Sequence, residues 1–544
     1  MAIDSDVDLG RSAHVDTFCR DNLPPRSSWP ELHFDLAELH YPERVNCAAE
    51  LVDAVIDELG PDRPCLLTPQ GEVWTYAQLR DTANRIAHVL VDDFGIVPGN
   101  RVLLRGPNNP WLVACWVAVL KAGAVAVTTM PLLRSREISD VARIAEVSLA
   151  LCDARFVDDL RAAELGAAPV LAFGGSDDEL TSRTATASDD FAAVDTAADD
   201  VALLAFTSGT TGRPKATMHF HRDVLAIADT FSRHVVRPTP DDLFTGTPPL
   251  AFTFGLGGLV VFPLRVGAAT LLVEKATPDE LADLIATHRV SVCFTAPTGY
   301  RAMITSGSVA RLGSLRRAVS AGEHLPEATW HAFHDATGIK LIDGIGSTEM
   351  LHVFVSAADV DIRPGSTGRA VPGYRAAVLD EHGVRVPAGT PGRLAVQGPT
   401  GCRYLADDRQ GGYVQNGWNI TGDTFVEDDD GYFRYLARSD DMIVSSGYNI
   451  AGPEVEEALL AHDAVLECCV VGVPDVARGQ LVKAFVVLKD GTGPSTEELQ
   501  SFVKARIAPY KYPRAVEFVA SLPRTATGKV QRFALRQPPF TVGG

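Results

Sequence analysis

The nine residues TSGTTGRPK, Thr207 to Lys215, combine two glycines, four hydroxyl side chains and a lysine directly behind the apolar run Val201 to Phe206. A glycine-rich turn leaving a strand can aim successive backbone N–H groups into one concavity, with hydroxyls as further donors and a lysine as a point charge. That is the chemistry of a phosphate nest. A flexible surface turn is the plain alternative. The P-loop spacing is absent: only two residues separate Gly209 from Gly212, Pro214 stands before Lys215, and no Ser or Thr follows the lysine.

Three further segments supply residue types that nucleotide chemistry uses. LIDGIGSTEM sets Thr348 and Glu349 behind a glycine-rich turn, where a hydroxyl can meet a phosphate oxygen and a carboxylate can hold Mg²⁺. WNITGDTF offers Asp423, whose two oxygens can accept hydrogen bonds from both hydroxyls of a ribose. LPRTATGKVQR presents Lys529 on a glycine-containing loop, a point charge suited to developing phosphoryl charge. Singly, each has a structural reading: an exposed turn Asp, a helix-capping Glu, a solvated Lys. Together they describe one site.

The elements that must position these residues alternate between helix and strand. WVAVLKAGAVAVTTMP reads as a helix end, a stop at Gly123 and a buried strand, Ala124 to Thr129. PDELADLIATHRVSVCFTAP repeats the pattern, with Pro278 at a helix start and Val290 to Phe294 as the strand. Such alternation predicts a largely parallel, helix-covered sheet. The Asp-, Ser-, Thr- and Ala-rich stretch from Gly174 to Asp200 lacks apolar periodicity and reads as a solvated surface loop. Beyond Leu436, a charged joint, a Gly/Ser turn, a helix entered at Pro453 with Val455, Ala458 and Leu459 on one face, two β-rich runs and a helix around STEELQSFVKARI form an α+β tail of domain size. The boundary is placed at Ala437/Arg438, giving domains 1–437 and 438–544.

Composition limits the function classes. A chain of 544 residues, 46% hydrophobic, exceeds what one core supports, so two or more domains are expected. A net charge of −20 with no basic block argues against nucleic acid as partner. The start, MAIDSDVDLGRSAHVD, lacks a secretion signal, and no run of about 18 apolar residues is present to cross a bilayer, so the cytoplasm is expected and a membrane is not. Nine cysteines are scattered without a CxxC pair, and Cys468 and Cys469 in VLECCVVGV read as buried strand residues, with neither disulfides nor structural zinc expected.

On the motifs TSGTTGRPK, GSTEM, TGD, ARSDDMIVSSGYNI and PRTATGKVQR, the chain from about Phe34 to Arg536 resembles the adenylate-forming superfamily of acyl-CoA synthetases, peptide-synthetase adenylation domains and luciferases. Within it, DGIGSTEMLHVFVSA and PPLAFTFGLGG look like the benzoate and 2-aminobenzoate CoA ligase branch. The resemblance implies an α/β fold, with a large N-terminal multi-sheet adenylation domain and a small mobile α+β C-terminal domain. It also implies ATP and coenzyme A as substrates, with Mg²⁺. By matching motif, Thr207, Ser208, Gly209, Thr210, Thr211, Gly212 and Lys215 would hold the β/γ-phosphates, Thr348 the α-phosphate, Glu349 the metal, and Asp423 and Arg438 the ribose. Ala321, Gly322 and Glu323 would line adenine, with Asp343 and Gly344 in the same nucleotide-binding set. Lys529 would bridge the α-phosphate and the substrate carboxylate. Asp440 matches the hinge, and Gly447 the loop that approaches the pantetheine arm.

Amino-acid-activating domains carry an Asp in the PLAFTFGLGG segment, where this chain has Thr253 between Phe252 and Phe254, so an α-amino acid is disfavoured. Two phenylalanines and a glycine run could form a flat apolar slot for an aromatic ring, or could simply pack in the core. Ile345 and His352 are further candidates for the acid pocket. The expected substrate is a benzoate-like acid, 2-aminobenzoate included, with Thr253 as a polar contact to a ring substituent and a medium-chain aliphatic acid as the alternative. A stand-alone enzyme loading a carrier protein, and a non-catalytic nucleotide-binding protein, are the competing functions. The retained Lys215, Glu349, Asp423 and Lys529 argue against the latter. A homodimer stays open.

Overall fold

The computed structural model describes residues 9–175, 179–208, 214–439, 441–445, 448–475, 478–489, 493–524 and 530–536. Two helix-covered sheets dominate the N-terminal part. One has six strands in the order Val170–Phe173, Leu149–Asp153, Arg101–Arg105, Val125–Thr129, Val201–Ser208 and Pro214–Phe220, parallel except for the last pair. The other has nine, and its inner strands, among them Leu243–Gly246, Val292–Thr295, Arg317–Ala321 and Leu341–Gly346, run parallel. Burial on both faces explains why these strands read as continuous apolar runs: all five residues of Arg101–Arg105 are buried. The Arg105 guanidinium at the end of that strand donates to the carbonyls of Met130, Pro131 and Leu133 at 2.8 to 2.9 Å.

Local chemistry sets the helix ends. Pro278–His288 starts at Thr277, whose hydroxyl accepts from Glu280 N–H while the Glu280 carboxylate accepts from Thr277 N–H at 2.8 Å. This reciprocal cap satisfies two donors that the helix cannot. Gly452–Leu460 buries Val455, Ala458 and Leu459 on one face, and Ser495 with Glu498 caps Thr496–Lys504 in the same reciprocal way.

A five-stranded antiparallel sheet follows, in which Trp418–Glu427 pairs with Phe433–Arg438. The chain then enters a small domain whose sheet and two apolar clusters draw only on residues between Ile443 and Leu535. It touches the large domain through Glu327 N–H, which donates to the Glu457 carboxylate at 3.1 Å, and through Arg301 and Glu467 at 3.4 Å.

Two expectations need amendment. The stretch from Gly174 to Asp200 is not a uniformly solvated loop: it contains the helix Glu179–Thr184, anchored by buried Leu180, and it ends in buried Thr196, Ala197 and Asp200. The Asp200 carboxylate accepts from the backbone of Ala13 and Ala197 at 2.9 Å and thereby ties the N-terminal segment down. Such anchoring leaves no periodic trace. Of the two adjacent cysteines in Val465–Asp475, Cys469 is fully buried in one cluster and Cys468 is half-buried against the cluster on the opposite face of the strand. All nine cysteines are free thiols. Among the described residues, no helix is long and apolar enough to cross a membrane.

Candidate active site

The strands Val201–Ser208 and Pro214–Phe220 form an antiparallel pair that sets Thr207 opposite Lys215. Ala216, Met218 and Phe220 point into the core, so the alternation of strand side chains turns Lys215, Thr217 and His219 the other way. Residues 403–405 lie along the free edge of Pro214–Phe220: Met218 N–H donates to Arg403 O at 2.8 Å and Leu405 N–H to Ala216 O at 2.9 Å. This pairing brings Tyr404 beside Lys215.

The carboxylate comes from a different sheet. Leu341–Gly346 ends at Ser347, whose hydroxyl accepts from Met350 N–H at 3.2 Å and caps the short turn Thr348–Met350. Glu349, on that turn, is buried, and its Oε1 lies 2.8 Å from Lys215 Nζ and 2.6 Å from the Tyr404 hydroxyl, which donates to it. His219 Nε2 donates to Thr348 O at 2.8 Å and so fastens the turn to the strand Pro214–Phe220. Burial, reinforced by the Arg403 charge, lowers the His219 pKa to about 3, so the ring is neutral with its proton on Nε2. Ser347 Oγ and the Tyr413 hydroxyl are 3.0 Å apart.

At the other end, Asp423 and Arg438 face each other across antiparallel strands, with Nη1 3.2 Å from Oδ1. Asp423 is also buried. The Tyr413 hydroxyl is held above its ordinary pKa by burial first and then by the negative charge of Glu349. Arg317–Ala321 runs parallel to Leu341–Gly346 in a register that pairs Ala321 with Gly344 and Ser320 with Asp343, so the AGE and DG segments lie side by side. Gly322 has φ +90°, which a residue with a side chain rarely adopts, and Glu323 follows it half-buried. Burial pushes the Asp343 carboxyl up to about 8, and its Oδ1 has no hydrogen-bond partner among the described residues. Beside this floor, His324 stacks on Tyr435 at 5.3 Å between centroids.

The aromatic segment lies nearby in sequence order but has its own surroundings. Phe252 precedes the helical turn Thr253–Leu256, and Phe252, Thr253 and Phe254 are half-buried. Phe254 packs 5.5 Å from Phe294 and 5.7 Å from His352, and His352 also meets Phe231 and, edge-on at 4.6 Å, Phe262. His352 is buried, and neither ring nitrogen makes a well-formed hydrogen bond among the described residues. Burial lowers its pKa to about 3. Ile345 is half-buried on its strand, opposite Val355.

Lys215, Thr348 and Glu349 are therefore brought together, as are Asp423 with Arg438 and Phe254 with His352. Gly209, Thr210, Thr211, Gly212, Asp440, Gly447 and Lys529 lie outside the described residues. Sequence reasoning missed Tyr404, Tyr413 and His219. Tyr404 sits in an isolated β-bridge and Tyr413 ends the single-turn helix Gln410–Tyr413, both too short for periodicity to show, and the Gly/Pro-rich GPTG run before Tyr404 is the sole local signal. Mg²⁺ suits the residues present: Glu349 is a buried hard-oxygen donor, and its Oε2 receives no hydrogen bond among the described residues.

The site thus consists of a buried lysine–carboxylate–tyrosine contact and a buried Asp–Arg pair, in a large α/β domain that is followed by a small one. Residues 56–404 match the family described as AMP-binding enzyme, and residues 454–529 match the AMP-binding enzyme C-terminal domain. The chain belongs to that family. It is 36% identical to the benzoate–CoA ligase of Thauera aromatica over 91% of this chain and 96% of that one. Among solved structures it resembles the anthranilate CoA ligase AuaEII in complex with anthranoyl-AMP, at 32% identity and a TM-score of 0.85, covering 92% of this chain and 98% of that one. It also resembles a benzoate CoA ligase from Burkholderia xenovorans LB400, at 32% identity and a TM-score of 0.83, covering 91% of this chain and 100% of that one.

Proposed function

We propose that the protein is an AMP-forming ligase that joins a benzoate-type aromatic acid to coenzyme A. In the first half-reaction a carboxylate oxygen of the acid attacks the α-phosphorus of ATP, the bond to the β-phosphate oxygen breaks, and pyrophosphate leaves. In the second, the CoA sulfur attacks the acyl carbon, the carbon–oxygen bond to AMP breaks, and the thiol proton is released. Neither step needs a protein nucleophile, so catalysis rests on positioning and charge.

In this reading Thr207, Ser208, the loop 209–212 and Lys215 hold the β/γ-phosphates, and Thr348 holds the α-phosphate. Asp423 and Arg438 hold the ribose, and Ala321, Gly322, Glu323, Asp343 and Gly344 line the base. Mg²⁺ at Glu349 would neutralise phosphate charge. Lys529 serves the first step, and rotation of the small C-terminal domain about Asp440 exchanges it for the loop at Gly447, while Arg438 stays paired with Asp423. Phe252, Thr253, Phe254, Ile345 and His352 surround the acid.

The observation that carries the reading is the contact of Lys215 with Glu349 at 2.8 Å, with a second buried carboxylate, Asp423, paired to Arg438 at 3.2 Å. The aromatic cluster around His352 and the benzoate and anthranilate ligases among its relatives support an aromatic acid. Pyrophosphate release across benzoate, aminobenzoates, hydroxybenzoates and medium-chain fatty acids, with the mass of the CoA product, tests it. Aromatic acids should dominate and yield acyl-CoA; turnover confined to aliphatic acids, or none with CoA, would overturn it.

A further inference from the structure

Tyr404 belongs to no motif, yet its hydroxyl is where Lys215 and Glu349 meet. Its position is fixed from several sides. The flanking backbone pairs with Pro214–Phe220, Tyr404 N–H donates to Gln410 Oε1 at 2.9 Å, and its ring stands edge-on to Tyr413 at 5.9 Å. The residue is 1% exposed. Burial and the Glu349 charge hold its pKa far above the ordinary value, so the phenol stays a neutral donor.

Three contacts close on one another. Lys215 Nζ donates to the Tyr404 oxygen, Tyr404 donates to Glu349 Oε1 at 2.6 Å, and Lys215 Nζ is 2.8 Å from the same Oε1. The ammonium also lies 4.4 Å from the Tyr404 ring centroid, within cation–π range. Both donors thus converge on one carboxylate oxygen, and Oε2 is left without a hydrogen bond among the described residues. A carboxylate pinned in this way can offer one oxygen but cannot turn to bind a cation through two.

We propose that Tyr404 is a positioning residue for the metal–nucleotide complex: its hydroxyl pins Glu349 Oε1 so that Oε2 alone faces Mg²⁺, and it parks Lys215 until phosphate arrives. The inference rests on the roles proposed above for Glu349 and Lys215. A tyrosine that merely filled space would be replaced by phenylalanine without selective effect. A single rigid oxygen also suits Mg²⁺, which takes one or two carboxylates with substrate phosphates, better than Ca²⁺, which takes more ligands and often a bidentate carboxylate.

The test is calorimetric titration of the whole enzyme with ATP, without acid or CoA, in EDTA, Mg²⁺ or Ca²⁺, for the wild type, Tyr404→Phe, Glu349→Gln and the double variant. Loss of a partner behind a metal ligand costs about 10-fold or more in metal affinity. Tyr404→Phe should therefore lose about that factor of ATP affinity in Mg²⁺ and little in EDTA, and the double variant should bind no worse than Glu349→Gln. Equal losses in Mg²⁺ and EDTA, or none, would overturn the proposal. If Tyr404→Phe melts much earlier than the wild type, the wild-type comparison decides: Mg²⁺ should raise ATP affinity well beyond Ca²⁺, and equal enhancement would overturn it. If Glu349→Gln keeps the full Mg²⁺ effect, the metal role of Glu349 fails instead.

Discussion

Gly257 lies directly against the imidazole of His352: a Cβ there would fall 2.3 Å from Cδ2 and 2.7 Å from Nε2. Beside it, a Cβ on Gly258 would fall 2.6 Å from Phe294 Cδ1. The glycine run is what lets the aromatic rings close on one another. Gly257→Ala must therefore displace His352, at about 1–3 kcal/mol of stability as an overpacked core. Urea unfolding should register that loss, and KM for the aromatic acid should rise by about 10-fold or more, since a methylene in an apolar pocket is worth that much. An unchanged KM would separate the ring cluster from the acid site.

His219, His221 and His352 are buried, and burial lowers each pKa to about 3 from an ordinary 6.5. The unfolded chain then binds more protons than the folded one between those values. Stability is complete above pH 6.5 and falls as pH drops below it, by up to about 1.4 kcal/mol per histidine per unit. Asp343 works in the opposite sense, because its raised pKa of about 8 makes folding bind a proton and lowers stability as pH rises from 4 to 8. A difference measurement isolates one group: urea titrations at pH 7.5 and 5.5 should show a smaller acid loss in His352→Phe than in the wild type. An identical loss would mean that His352 is not held neutral.

Asp423 and Arg438 are proposed to read the ribose hydroxyls. Hydrogen bonds to a charged group contribute about 1.5–3 kcal/mol, so Asp423→Ala should raise KM for ATP by roughly 10- to 100-fold. The sharper measurement uses 2′-deoxy-ATP. The wild type should discriminate against it, and Asp423→Ala should not.

Arg403 and Asp223 are fully buried together and hydrogen-bonded, with the guanidinium 4.0 Å from the Phe220 ring centroid. Removing one partner strands a charge. Asp223→Ala should cost about 3–5 kcal/mol by urea unfolding, and a second change, Arg403→Met, should recover much of it. A double variant as unstable as the single one would contradict the pairing.

Legibility in the sequence followed the range of the physics involved. Pro278–His288, with Thr277 and Glu280 as its cap, was readable because both signals are local. The strand expected at Val290 to Phe294 appears as Val292–Thr295, a shift of boundary and not of type. Lys215 and Glu349 stood out in the sequence because short glycine-rich turns leave few roles for the residues they carry, and the structure places the two side chains in contact. Tyr404 did not, since its position depends on backbone pairing with residues 216–218, nearly two hundred positions earlier. Likewise, the assembly of Phe231, Phe254 and Phe262 around His352, with Phe294 packed on Phe254 and Phe262, is a product of three-dimensional packing. Periodicity shows which side chains turn inward but not which of them meet.

The central claim is that this site activates a carboxylic acid by transferring adenylate to it. A rapid-quench experiment with ATP labelled at the α-phosphorus, Mg²⁺ and benzoate, with CoA withheld, measures that directly. The account predicts a burst of benzoyl adenylate approaching one per enzyme molecule, consumed to benzoyl-CoA and AMP once CoA is added. Labelled ADP, or AMP formed at the same rate without any acid, would contradict it.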